Sequence, residues 1–304
     1  MTSQTPHTSP TMLTEDRYTE YDTWAWLYNE TMGPEYGKNQ EKPIETLLLS
    51  RLGEEATLLD LCCGTGHLTQ QLLEKGYQVT GFDGSEGMLA YARQNAPNGR
   101  FLVGDARGFN LPNEFDGVVS SSASLNHILS LEDLKKVFEN VYIALRNNGL
   151  FLFDMNHPEQ MKKWWKGKIV EGEIADEYAW MLVPNYNAED KTGNFAITLF
   201  QAPNSQYFSL WSVLKYPFKQ LLYKLLNLRL LTRFRLKLLA NFSTWEKEWQ
   251  RSQMVYQVRG YDVEEIKMLL ESVGFVDVEI RIIDGSCNLD SNHSAYFICR
   301  KPST

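Results

Sequence analysis

The run Thr57–Leu68, TLLDLCCGTGHL, constrains the fold more than any other stretch of this chain. Thr57 to Leu61 read as a short buried strand, Gly64-Thr65-Gly66 as a tight turn, and a helix opens near His67. Small residues at such a bend let the backbone approach a ligand, and the start of the helix offers unpaired N–H groups. Strand, glycine bend and helix in this order are how doubly wound α/β sheets hold an adenosine-containing cofactor. An ordinary strand-to-helix connection is the plainer alternative.

Acidic residues recur where successive strands should end: Asp60 in LLDL, Asp83 in VTGFD and Asp105 in FLVGD. Asp83 follows the glycines by about 20 residues, where a carboxylate can accept from both ribose hydroxyls. Asp105 closes the third strand, within reach of an adenine amino group. Alternating strands and helices continue to Met155. The strands are Thr57–Leu61, Gln78–Asp83, Arg100–Gly104, Gly117–Ser121 and Leu150–Met155. The helices lie near His67–Lys75, Glu86–Asn95 and Leu131–Leu145. This rhythm predicts a parallel sheet with right-handed crossovers. A further helix over Asp262–Val273 is stopped by Gly274, and strands Val276–Ile283 and Ala295–Arg300 close the sheet.

On these residues the chain resembles class I S-adenosylmethionine-dependent methyltransferases. LLDLCCGTGHL is similar to that family's first motif, GFDGSEGMLAYAR to its second and FLVGDAR to its third. FDGVVSSSASLNHI is similar to the fourth, and NNGLFLFDM to the strand after it. The likeness covers roughly Tyr18 to Met155 and resumes from about Val258. It departs at Cys62, where the family has its first glycine; cysteine is small, so the turn is expected to survive. The resemblance implies a Rossmann-like α/β fold, a doubly wound seven-stranded, mostly parallel sheet. The implied order is 3-2-1-4-5-7-6, with the last strand antiparallel. It implies S-adenosylmethionine as cofactor, a small-molecule methyl acceptor, and cofactor contacts from Tyr21 and Tyr28, which lie in a stretch similar to the family's Y-D-x-x-A-x-x-Y-D opening. It places further contacts at Asp60, Cys62, Gly64, Thr65, Gly66, Asp83, Gly84, Ser85, Met88, Asp105, Ala106, Ser121 and Ser122.

Methyl transfer from a sulfonium needs alignment, exclusion of water and sometimes removal of a proton. Catalytic groups are therefore weakly marked in the sequence. The loop after the fourth strand should face the methyl group. Where relatives often read D-S-L-N-Y-L, this chain has Ala123 for the acid and His127 for the aromatic. His127 is a candidate base, imidazole having a reference pKa of about 6.5; the alternative is a residue that only orients the loop. His157 in FDMNHP is the weaker candidate. Trp164-Trp165 suit either a substrate wall or the anchor of a lid. Arg107 suits a pairing with nearby acids or a surface position.

A chain of 304 residues can bury a sizeable core. Its net charge of −8 argues against general nucleic-acid binding. No run of roughly 18 apolar residues marks a spanning helix, and residues 1–17 read as a disordered segment without a secretory pattern. Four cysteines with no metal-ligand spacing predict neither a disulfide scaffold nor a metal site, and fit a reducing cytoplasm. Residues 18–155 and 258–304 are expected to form the core domain. Residues 156–257, rich in antiparallel-strand patterns, are expected to form a substrate-capping insertion of antiparallel β plus a helical lid, over the carboxyl ends of the main sheet. Asn187 to Gly193 fits a loop between two of its strands.

Within the insertion, 204–243 holds seven basic residues and no acid. It carries +7, which leaves −15 for the rest of the chain. At about 100° per residue, Lys219, Arg229, Arg233 and Lys237 fall in a fan of roughly 80° on one amphipathic helix. Such a helix suits a lid packed on its own domain, peripheral contact with an anionic membrane, capture of an acidic substrate, or a homodimer contact. Two other functions compete with methyl transfer: a nicotinamide-dependent oxidoreductase, and a non-catalytic cofactor-binding or membrane-associated protein. Thr69, at the third position of G-x-G-x-x-G, weakens the first of these.

Overall fold

The computed structural model describes residues 19–203 and 220–303. The expectation of disorder over 1–17 and residues 204–219 of the basic segment lie outside these. Strands β1 (Thr57–Leu61), β2 (Gln78–Asp83), β3 (Arg100–Val103), β4 (Phe115–Ser120), β5 (Leu145–Met155), β10 (Val276–Arg281) and β11 (Ala295–Arg300) form one sheet. Its order is β10-β11-β5-β4-β1-β2-β3, the 3-2-1-4-5-7-6 arrangement. β11 runs antiparallel to β5, with Tyr296 opposite Asp154. β5 starts earlier than the sequence suggests, at Leu145, with a register shift against β4.

Alternate residues of the central strands serve opposite faces. Leu59, Val118, Phe151 and Phe297 join one core with α6 (Leu131–Ala144) and α10 (Val263–Val273). Leu58, Val119, Leu152 and Ile298 join another with α3 (Met32–Leu47) and α4 (His67–Glu74). Helices on both faces explain why TLLDL and LFLF read as nearly unbroken apolar runs. The aromatic opening forms α1 (Thr19–Asp22), α2 (Ala25–Glu30) and α3. Ser85 caps α5 (Glu86–Asn95) by accepting from Met88 N at 3.1 Å.

The insertion builds a second, antiparallel sheet, β6-β7-β8-β9: Glu171–Ile174, Tyr178–Asn187, Thr192–Gln201 and Gln250–Arg259. β6 and the preceding α7 (Pro158–Trp164) lack a clear sequence signal. The expected single basic helix does not form among the described residues. Residues 220–226 are helical, a 3-10 turn covers Arg229–Leu231, and α8 (Thr232–Leu239) then starts a new axis, followed by α9 (Phe242–Trp245). Leu228 is extended, with ψ 138°, which ends the first stretch. The one-helix fan of cations is thereby broken. Among the described residues no helix is long and apolar enough to cross a membrane.

Candidate active site

The glycine bend joins β1 to α4. Cys62, Gly64 and Gly66 all have positive φ, at 63°, 53° and 76°. A cysteine thus takes the left-handed conformation usually left to glycine, and the bend survives as expected. At Gly66 a side chain is excluded twice over. Its φ is unfavourable, and a Cβ would lie 2.9 Å from the Cα and Cβ of Ala92 on α5. Gly66→Ala is expected to cost about 2–4 kcal/mol, left-handed strain plus overpacking. Urea unfolding checks this; an unchanged midpoint would refute the close approach.

Asp83, at the end of β2, accepts from Gly64 N and Ser85 N, each at 2.9 Å. One carboxylate therefore holds the bend against the next strand end. Burial pushes its pKa up. Asp60 is buried, accepts from Thr69 Oγ1 at 2.6 Å, and is pushed up to about 7 by burial. Thr69 thus fills the third-glycine position with a hydroxyl bound to the strand. Asp22 is a group the sequence reading missed. Its Oδ1 accepts from Gly87 N at 2.9 Å and from the Ser85 hydroxyl, fastening α1 to the start of α5.

The loop after β4 places Ser122 and Ala123 at φ 61° and 56°. Ala123 N donates to Asp154 Oδ2 on β5 at 3.1 Å. Asp154 is pushed up to about 7 by burial. Asn126 is buried and staples three segments: its Nδ2 donates to Asn156 O at 2.9 Å and to Arg259 O at 2.7 Å, and its Oδ1 accepts from Asn156 N at 2.9 Å. The end of β9 is thereby tied to the loops after β4 and β5. Next to it, His127 Nδ1 lies 3.0 Å from the Tyr21 hydroxyl. The imidazole also meets Phe195 edge-on, at 5.5 Å between centroids.

These elements enclose a cavity of about 600 Å³ between the carboxyl rim of the main sheet and the second sheet. Tyr21, Tyr28, Cys62, Gly64, Asp83, Gly84, Met88, Ala106, Ser122 and His127 line it. Asp60, Thr65 and Ser121 line a small pocket of about 30 Å³ that shares Tyr28, Cys62 and Ser122 with the cavity. Gly66 and Ser85 line neither and act as the helix starts described above. Asp105 also lies outside both linings. Its carboxylate is gripped by Arg107, whose backbone N and Nε donate to Oδ1 at 2.8 and 3.0 Å. Gly104 and Ala106 present the β3 end to the cavity instead. His157 is buried away from the cavity, its Nε2 3.0 Å from Asp290 O and 3.2 Å from His293 O. In that place it ties two loops together and lines neither pocket.

On the far side, the lining comes from Trp165, Leu182, Phe195, Tyr256 and Glu171. The tryptophan pair divides: Trp165 walls the cavity, while Trp164 is half exposed under Lys163 Nζ, 5.3 Å from its ring. Glu171 was not foreseen. Its Oε2 accepts from Tyr36 OH at 2.9 Å, and burial raises its pKa. Among the described residues no group of three or more His, Cys, Asp or Glu is placed to hold a metal ion.

Residues 58–149 match a family model described as a methyltransferase domain. A putative methyltransferase of Bacillus subtilis, YqeM, is 37% identical over 142 residues, 45% of this chain and 55% of that protein. The dTDP-3-amino-3,4,6-trideoxy-alpha-D-glucopyranose N,N-dimethyltransferase of Streptomyces venezuelae is 30% identical over 122 residues, 40% of this chain and 48% of that one. An S-adenosylmethionine-dependent methyltransferase structure from Clostridium acetobutylicum superimposes with a TM-score of 0.65 at 19% identity, covering 93% of this chain and 99% of that one. The chain spans about half the length of these two curated relatives. Strand order and the structural likeness give the core the fold of class I methyltransferases, and residues 58–149 within it match the methyltransferase-domain model. The four-stranded antiparallel sheet is an insertion between its fifth and sixth strands.

Proposed function

We propose that this chain binds S-adenosylmethionine and transfers its methyl group to a small-molecule acceptor held under the second sheet. The observation that carries this reading is one continuous cavity running from Gly64 and Asp83 to Trp165, Phe195 and Glu171. The residues present suit the adenosyl group. Asp83 uses two of its roughly four lone-pair sites on backbone N–H groups and keeps others for ribose hydroxyls. Thr65 Oγ1 is buried beside Asp60 with no partner among the described residues, an acceptor or donor for the amino-acid end.

When bound, the cofactor supplies an electrophilic methyl on a good leaving group. The protein aligns and shields it. Tyr21, Tyr28, Phe195 and Tyr256 wall the cavity and exclude water. His127, paired with Tyr21, takes a proton from the acceptor in this reading. Glu171 is the acidic group on the acceptor side and suits a donor or ammonium group on the substrate. The amino-sugar acceptor in the name of the Streptomyces venezuelae relative supports that assignment.

Calorimetric titration tests the reading against the oxidoreductase alternative. S-adenosylmethionine and S-adenosylhomocysteine should each bind at one site, and reduced nicotinamide dinucleotide should not displace them. Binding of the nicotinamide alone by folded protein would reverse the assignment.

A further inference from the structure

The second sheet is already covered on both faces. Its inner face packs Trp180, Ile197, Leu199 and Tyr256 against Trp24 and Leu27 of the core. Its outer face packs Ile174, Ala179 and Phe200 against Tyr223, Leu226, Leu239 and Phe242. Residues 220–226, α8 and α9 therefore bury the side chains needed to fix them in place. What they leave outside packs in no core cluster among the described residues. Leu221, Leu222, Leu225, Leu228, Leu230 and Phe234 are 41–93% exposed, Leu230 the most. Lys224, Arg229, Arg233 and Lys237 are exposed among them. None of these four forms an ion pair with a described residue.

We propose that this outer layer is a peripheral docking surface for an anionic lipid bilayer. Exposed leucines and a phenylalanine suit the acyl boundary, while interspersed Lys and Arg suit lipid phosphates. Sign decides between this occupant and a second copy of the chain. A two-fold contact through the face sets its cations against their own copies, with no acid in 204–243 to neutralise them. The remaining −15 sets the rest of the molecule against an anionic surface, so this face alone is drawn to it and the protein docks in one orientation. Among the described residues, the second sheet is the layer of strands between the docked face and the cavity. The proposal rests on this surface and not on the methyl-transfer reading.

Vesicle flotation of the full chain tests it. Vesicles of phosphatidylcholine mixed with phosphatidylglycerol should carry the protein up, more weakly as salt rises; phosphatidylcholine alone should not. The double variants Arg229→Glu/Arg233→Glu and Leu230→Ser/Phe234→Ser should each weaken flotation about tenfold or more, at unchanged thermal midpoint. Equal flotation on neutral vesicles, no flotation on either, or full flotation of either variant would overturn the proposal. So would a lipid-free dimer, seen by light scattering, that the Leu230→Ser/Phe234→Ser variant dissociates; that outcome assigns the face to self-association.

Discussion

Asp83→Ala is expected to weaken S-adenosylmethionine binding by about two to four orders of magnitude. A hydrogen bond to a charged group contributes about 1.5–3 kcal/mol, and a ribose diol offers two, so about 3–6 kcal/mol is at stake. The same carboxylate holds Gly64 N and Ser85 N. Alanine leaves both donors unpaired and loosens the bend as well as the ribose site. Asp83→Asn keeps an acceptor oxygen and should lose less. Calorimetric titration measures the affinities, with thermal melting run alongside. Binding of the Ala variant within about twofold of the parent would refute the ribose assignment, since the loss predicted from two charged bonds is far larger.

His127→Gln is expected to lower kcat by about 10²–10⁴-fold while changing cofactor affinity little. The glutamine keeps polar atoms near Tyr21 and removes the imidazole proposed to take the proton. The acidic limb of the pH–rate profile should flatten in the variant, which a purely structural role would not produce. Tyr21→Phe should have a smaller effect, because it removes the hydroxyl 3.0 Å from His127 Nδ1 but keeps the ring beside Tyr256. A variant at His127 with unchanged kcat would leave proton removal to the acceptor itself or to solvent.

The main sheet was legible because its signals are local. TLLDL, VTGFD and FLVGD each carry apolar strand, turn and acid within a few residues, and the structure extends or trims them only at the ends. The polar residues that organise the cavity are not local. Glu171 meets Tyr36 across 135 residues, Asn126 meets Arg259 across 133, and Asp22 meets Ser85 across 63. Nothing in the neighbourhood of Glu171, in EGEI, sets it apart from a solvated strand-edge acid. Asn126 and Asp22 carried a faint signal, since they fall within the SLNH and Tyr21-Asp22 stretches that resemble family motifs. Asp105 lies just past the end of β3 as expected, and Arg107 two residues later pairs with its carboxylate, a contact that the strand-and-acid pattern does not signal. The basic segment misled for a simpler reason. Helical periodicity assumes one continuous axis, and the extended backbone at Leu228 divides it.

The alternation of the second sheet separates two kinds of change along one chain segment. Trp180, Leu182 and Pro184 on β7 look inward, while Ala179 and Met181 look outward; Phe195 and Ile197 on β8 look inward, and Phe200 outward. A library that varies only the inward set can reshape the acceptor chamber while leaving the helical coat seated. One that varies the outward set can remodel the coat without touching the chamber. Inserting a single residue into either strand would exchange the two sets, so substitution, not insertion, is the route by which this roof can acquire a new specificity.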